Sequence, residues 1–325
     1  MIIFACLHDI IKRYNLIIYI HFSDCGMKKR NLHLIFFIVI ALMAFFPGVA
    51  NCQVKRALLV GISNYSSNRV TQWTDIHGAN DVELLASTLK SQRFKITKVT
   101  NQQATAKRIR KELVSLVKSC RAGDVVYIHF SGHGQPFEDQ NKDEADGWDE
   151  AIIPYDAQKV YSKGKYEGAN HILDDELSRY FSQIRTKVGA KGFLCVVIDA
   201  CHSGGASRGE EMEEDEEIFS RGTRDGFSST RKPYRPPVNT NGHFVINSSG
   251  TQSGIVILEA CRSYQSNYEI KQDGQYYGPL SYYINKTLRS NQLVKSLSWV
   301  QVVKRLMDGD RRLTKQNMVI ETSLK

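Results

Sequence analysis

The sequence predicts an α/β fold, a three-layer α/β/α sandwich built on a mainly parallel sheet. Three observations predict it. Short apolar runs alternate with longer segments of helical periodicity along most of the chain. Several of those runs, "ALLVG" and "FLCVVID" among them, are almost wholly apolar, as strands covered on both faces must be. The two most unusual motifs, "SGHG" at 131–134 and "DACHSGG" at 199–205, each lie at the end of such a run. Ligands bind at the carboxyl ends of strands in sheets of this kind.

Taken in order, "KRALLVGISNY" at 55–65 reads as a buried strand halted by Gly61. In "HGANDVELLASTLKSQ" at 77–92, Val82, Leu84, Leu85 and Leu89 have the spacing of an amphipathic helix. "FKITKVT" at 94–100 alternates like a strand, and 105–120 is helical again. Gly123 separates that helix from a strand over 124–134. After a polar, acidic loop come "EAIIPYDA", a helix over 173–184 and a strand over 193–203. From about Ala206 to Ser253 the chain turns to loop composition, with the acidic run "EEMEEDEE" and the basic, proline-rich "RKPYRPP"; this segment is expected to be a flexible linker. Order returns with a strand over 254–263 and two helices, in "GPLSYYINKTLRS" and "SWVQVVKRLMDGDRR". No repeats are visible.

At 325 residues and 42% hydrophobic, the chain has material for one large core. The formal charge of +9 is spread among strands and helices, and no basic stripe interleaved with aromatics appears, which argues against a nucleic-acid partner. Near the N-terminus, Lys28-Lys29-Arg30 follow Met27 and precede the apolar run 34–46, then Pro47-Gly48 and small residues. That order is a secretory signal, expected to span 27–52, with the mature chain secreted or periplasmic. Residues 1–26 are then an upstream extension from a start codon set too early, and 53–325 form one domain, expected to be a monomer. Membrane contact would come only through an uncleaved signal or a lipidated Cys52, and the bulky Asn51 before it speaks against lipidation. Four cysteines remain beyond the signal, Cys120, Cys195, Cys201 and Cys261, at spacings that make neither a disulfide framework nor a CxxC zinc site. Cys195 and Cys261 read as small core hydrophobes.

A cysteine hydrolase needs a thiolate, a base for its proton, and backbone donors for the oxyanion. Side chains alternate along a strand, so Asp199 and Cys201 point one way, as do Ser131 and His133. If the two strands are neighbours, His133 and Cys201 share a crevice, with the amides of Gly134 and Cys201 as oxyanion donors. His129 lies about 13 Å back along an extended strand, and His202 points away from Cys201, so neither is the expected base. For each motif alone the simpler reading is a buried cysteine and a turn histidine; the pair together favours chemistry.

"HFSGHG" and "DACHSGG" resemble the two catalytic motifs of the caspase-like cysteine peptidases, in the metacaspase and bacterial orthocaspase branch. "KRALLVGISNY", "GANDVELLASTL", "DGWDEAIIPYDA" and "SYQSNYEI" with "GPLSYYI" extend the similarity over nearly all of the chain beyond the signal. The resemblance implies that His133 is the base and Cys201 the nucleophile of an endopeptidase. It also implies an S1 pocket of Asp81, Ser131 and Asp199, whose carboxylates would favour arginine or lysine at P1. Asp81 has the alternative of capping its helix. Gly78 stands where the family carries a cysteine. One branch of the family binds calcium through aspartates that match Asp149, Asp174 and Asp175, although the fourth is replaced by Arg208 and "YSKGKYEG" lengthens the spacing. Calcium is therefore expected at most as an activator, with no cofactor needed for the chemistry. A basic P1 preference makes Arg208, Arg221, Arg224, Arg231 and Lys232 candidates for self-cleavage in the accessible segment after Cys201. Two other readings stay open: a catalytically silent scaffold on the same fold, and a cysteine hydrolase of a non-peptide amide.

Overall fold

The structure is a computed structural model, and it describes residues 53–142, 144, 146–202, 219–236, 244, 246 and 250–324. They belong to the unit that runs from Gln53 to Lys325. The expected signal, Cys52, Arg208 and the acidic run lie outside the described residues. Among the described residues no helix is long and apolar enough to cross a membrane.

A six-stranded sheet forms the middle layer. Its strands are β1 (Lys55–Gly61), β2 (Phe94–Thr100), β3 (Val125–Ser131), β7 (Phe193–Asp199), β8 (Gly254–Glu259) and β11 (Val319–Thr322). They lie in the order β11-β8-β7-β3-β1-β2, all parallel except β11, which runs antiparallel to β8. The two-residue period of these strands divides the core. Leu58, Val60, Val126, Ile128, Leu194 and Val196 face one way. They pack with α2 (Ala106–Ser119) and α3 (Asp174–Val188), through Ile109, Leu113, Leu177 and Phe181. Ala57, Leu59, Tyr127, Cys195 and Val197 face the other way. They pack with α1 (Gly78–Ser91), α4 (Pro279–Leu288) and α5 (Ser298–Asp308), through Val82, Leu85, Ile284 and Trp299. This is the three-layer α/β/α arrangement with a mainly parallel sheet that the sequence predicts.

Smaller pieces escape sequence periodicity because each is only a few residues long. The strands β4 (Gly134–Glu138), β5 (Trp148–Ile152) and β6 (Ile172–Leu173) form an antiparallel sheet beside the main one, and β9 (Ile270–Gln272) pairs with β10 (Gln275–Tyr277). A larger difference concerns the expected linker. Its described portion, 219–236, is not loosely exposed but anchored by its aromatic residues. Phe227 stacks on Phe137 at 5.0 Å and lies 4.4 Å from His171, while Tyr234 meets Trp148 edge-on. Charged and proline-rich composition signals mobility; three buried or half-buried rings in it, Phe219, Phe227 and Tyr234, override the signal by burying apolar area.

Candidate active site

Strands β3 and β7 are in parallel register, with Ser131 opposite Asp199. His133 and Cys201 each stand two residues past that pair, so both emerge at the carboxyl edge of adjacent central strands. The His133 ring is buried, stacked on Trp73 at 4.8 Å and tilted against Tyr65. Its main-chain N–H donates to the Tyr65 hydroxyl, which in turn donates to the Ile153 carbonyl. Nε2 lies 2.9 Å from the carbonyl oxygen of Thr74. A carbonyl can only accept, so Nε2 carries the proton and Nδ1 keeps its lone pair. Nδ1 is buried and has no hydrogen-bond partner. Burial pushes the imidazole pKa down to about 4, which leaves the ring neutral at pH 7 with its Nδ1 lone pair free to accept a proton.

Cys201 is fully buried, and its thiol donates to the Gln265 carbonyl at 3.0 Å. Cys261 lies next to it, its sulfur 3.6 Å from the same carbonyl, rather than within the apolar run of β8. His202 is buried on the other side, near Gly134, where an added Cβ would come 2.9 Å from its Nδ1.

One residue of the former linker fills the crevice. The carbonyl oxygen of Arg221 accepts hydrogen bonds of 3.0 Å from both the Gly134 and the Cys201 amides. The chain before it runs antiparallel to 267–269. Arg221 N–H donates to the Asn267 carbonyl, Glu269 N–H donates to the Phe219 carbonyl, and Ser220 bridges Tyr268. This is how an extended peptide adds to a strand edge. The next residue must be small, because a Cβ on Gly222 would fall 1.8 Å from the Cys201 carbonyl oxygen.

The guanidinium of Arg221 enters a fully buried acidic pocket. Nη1 reaches Asp81 Oδ2 at 2.8 Å, Ser131 Oγ at 2.6 Å and Asp199 Oδ1 at 3.5 Å. Nε and Nη2 both donate to Glu269 Oε1, at 3.1 and 2.7 Å. The pocket walls are themselves fixed. Ser131 donates to Asp81, Asn267 and Ser281 donate to Asp199, and the Gly278 amide donates to Asp81. Ser281 also links Asp199 to His129, which is therefore a buried structural histidine behind the pocket. Burial raises the Asp81 carboxyl to about 7, with Arg221 opposing and Asp199 reinforcing. For Asp199 and Glu269 burial also acts upward, but Arg221 and their hydrogen-bond donors hold both below the ordinary carboxylate value.

The three residues expected in the pocket, Asp81, Ser131 and Asp199, thus surround a single cation. Glu269, Asn267, Tyr65, Trp73 and Thr74 were not singled out by sequence reasoning. Tyr65, Asn267 and Glu269 lie inside stretches that carry the resemblance but without an assigned role, and Trp73 and Thr74 lie in a segment without periodicity; all reach the site only through tertiary pairing. Among the self-cleavage candidates, Arg224, Arg231 and Lys232 are exposed, and the Lys232 ammonium rests over Trp148. The three aspartates matched to a calcium site lie on two different elements. Asp149 is buried on β5, Asp174 opens α3, and Asp175 accepts from Asn141. Among the described residues no three His, Cys, Asp or Glu side chains gather closely enough to hold a metal ion.

A family model described as the metacaspase, peptidase C14 domain matches residues 55–208. Metacaspase-1 of Botryotinia fuckeliana is 36% identical over 169 residues, covering 48% of this chain and 36% of its own. Metacaspase-3 of Arabidopsis thaliana is 37% identical over 158 residues, covering 46% of this chain and 40% of its own. The chain therefore spans well under half the length of these relatives. The crystal structure of a Geobacter sulfurreducens protein superposes with a TM-score of 0.55 over 82% of this chain and 93% of that one, at 19% identity, which shows a shared fold. Residues 55–208 thus match the metacaspase, peptidase C14 domain, and over just under half of its length the chain is similar to the caspase-like metacaspases.

Proposed function

We propose that this chain is a cysteine endopeptidase that cleaves after arginine or lysine, and that its own Arg221–Gly222 bond is its first substrate. The observation that carries the reading is the double hold on Arg221. Its carbonyl rests on two amides, and its guanidinium lies in the acidic pocket.

The chemistry follows from the atoms named. Nδ1 of neutral His133 takes the proton of the Cys201 thiol, and the thiolate adds to the Arg221 carbonyl carbon. The Gly134 and Cys201 amides, already directed at that oxygen, hold the negative charge of the tetrahedral intermediate. The intermediate collapses as the imidazolium protonates the Gly222 nitrogen, which leaves as an amine. Water, deprotonated by His133, then hydrolyses the thioester, giving the Arg221 carboxylate and restoring the thiol. Until that cut, Arg221 blocks the pocket against other substrates, so cleavage in trans follows cleavage in cis. No step runs through calcium. Removal of the signal at 27–52 and action outside the cytoplasm are part of the same proposal.

Fluorogenic peptides with Arg, Lys, Asp or Asn at P1, with and without calcium, test it. Turnover of the basic pair that disappears in Cys201→Ala supports the reading. Turnover of the Asp or Asn peptide, or of none of the four, contradicts it.

A further inference from the structure

The grip on Arg221 is divided between two groups of residues. Asp81, Ser131 and Asp199 all act on Nη1 at the tip of the side chain. The opposite edge of the guanidinium, Nε together with Nη2, belongs to one acceptor, Oε1 of Glu269. We propose that Glu269 makes this pocket read arginine rather than lysine; the proposal rests on the reading of the site as one that cleaves after basic residues.

The argument is geometric. A lysine ammonium ends about where the central carbon of a guanidinium lies, one bond short of Nη1, and has no N–H group at the position of Nε. It would give up the contact along the Glu269 edge and fall short of Asp81 as well. Glu269 is built to keep that edge in place. It is 2% exposed, its own amide is paired to the Phe219 carbonyl, and its Oε1 accepts from the His77 amide at 2.7 Å. Oε2 meets His77 Nδ1, and the His77 ring is stacked on Tyr276 and set edge-on to Phe219. Glu269 therefore cannot swing toward a shorter cation without breaking its backing from His77.

Four chains test the inference in cis: the native sequence, Arg221→Lys, Glu269→Gln, and the two substitutions together, with the rate of self-cleavage at position 221 measured for each. Arg221→Lys is expected to slow cleavage of the native chain by roughly tenfold or more, the effect of losing a charge-assisted hydrogen bond. The same substitution in the Glu269→Gln chain is expected to slow it much less. An equal slowing in both backgrounds overturns the inference and leaves the proposed function standing. Should Glu269→Gln fail to fold, the native chain alone decides. Lysine at 221 cut as fast as arginine, or P1-lysine peptides turned over as fast as P1-arginine ones, overturns the inference. If the native chain cuts neither itself nor any basic peptide, the proposed function falls, and the inference with it.

Discussion

The amide of Cys201 donates to the carbonyl of Arg221 at 3.0 Å, so the proposed nucleophile already holds the oxygen of the bond it would attack. The two residues are brought together by an extended segment that lies along 267–269 as a peptide lies along a strand edge. The relation has consequences for catalysis, for pH dependence and for stability.

Replacing the proposed base is expected to slow cleavage without unfolding the chain. His133→Ala removes the acceptor for the thiol proton. The rate of self-cleavage should fall by roughly a hundredfold to ten-thousandfold, the usual worth of a positioned base. Time courses on denaturing gels, beside a circular-dichroism melt to verify folding, measure it.

The acid limb of activity toward basic substrates should be set by Asp81. Burial raises this carboxyl to about 7, so its charged form, which attracts a P1 cation, grows as pH rises through that value. His133 is already neutral above about 4 and adds no limb near neutrality. With Arg221 gone from the pocket the carboxyl loses the cation that opposes its rise, so kcat/KM for a P1-arginine peptide is expected to climb as pH rises through and above neutrality. In Asp81→Asn that climb should vanish and the overall level should fall. A pH profile of the two proteins after self-cleavage decides it.

Arg221 also neutralises the pocket. Truncating it to alanine leaves Asp81, Asp199 and Glu269 buried together without their cation. The expected loss of stability is about 3–5 kcal/mol, the cost of breaking a buried ion pair from one side. Urea unfolding of Arg221→Ala in the Cys201→Ala background, where no cleavage intervenes, reads this value directly.

Gly222 is predicted to be needed for the substrate-like path. A Cβ there would lie 1.8 Å from the Cys201 carbonyl oxygen, so Gly222→Ala must push the chain away from the strand end. Because small displacements of a reacting group are costly, self-cleavage should slow by roughly a hundredfold while the fold persists. Intact-mass measurements over time distinguish this from no effect.

The central sheet was legible in the sequence because its signals are local. The strand expected over 94–100 has the bounds of β2, while the motif-bearing strands, expected over 124–134 and 193–203, end earlier, at Ser131 and Asp199. Parallel register pairs Ser131 with Asp199 on neighbouring strands, with His133 and Cys201 each two residues past that pair. The selection of Arg221 was not legible. Five basic candidates looked equivalent by composition, and only the pairing of 219–221 with 267–269 brings one carbonyl onto the two amides. Glu269 was hidden for the same reason, since its role depends on a cation delivered by a distant segment. Proline and charge in 206–253 suggested mobility, whereas the packing of Phe227 against Phe137 and His171 is a tertiary event that composition does not carry. Among the described residues the aspartates matched to a calcium site sit on two separate elements, a spacing that the sequence pattern does not carry.

The central claim is that the Arg221–Gly222 bond is poised for attack by Cys201. Mass mapping of the native chain and of Cys201→Ala after equal incubation tests it most directly. The native chain is predicted to yield a fragment ending at Arg221 and a new N-terminus at Gly222, with Cys201→Ala remaining whole. A native chain left intact at this bond, or one cut there equally in Cys201→Ala, would contradict the account.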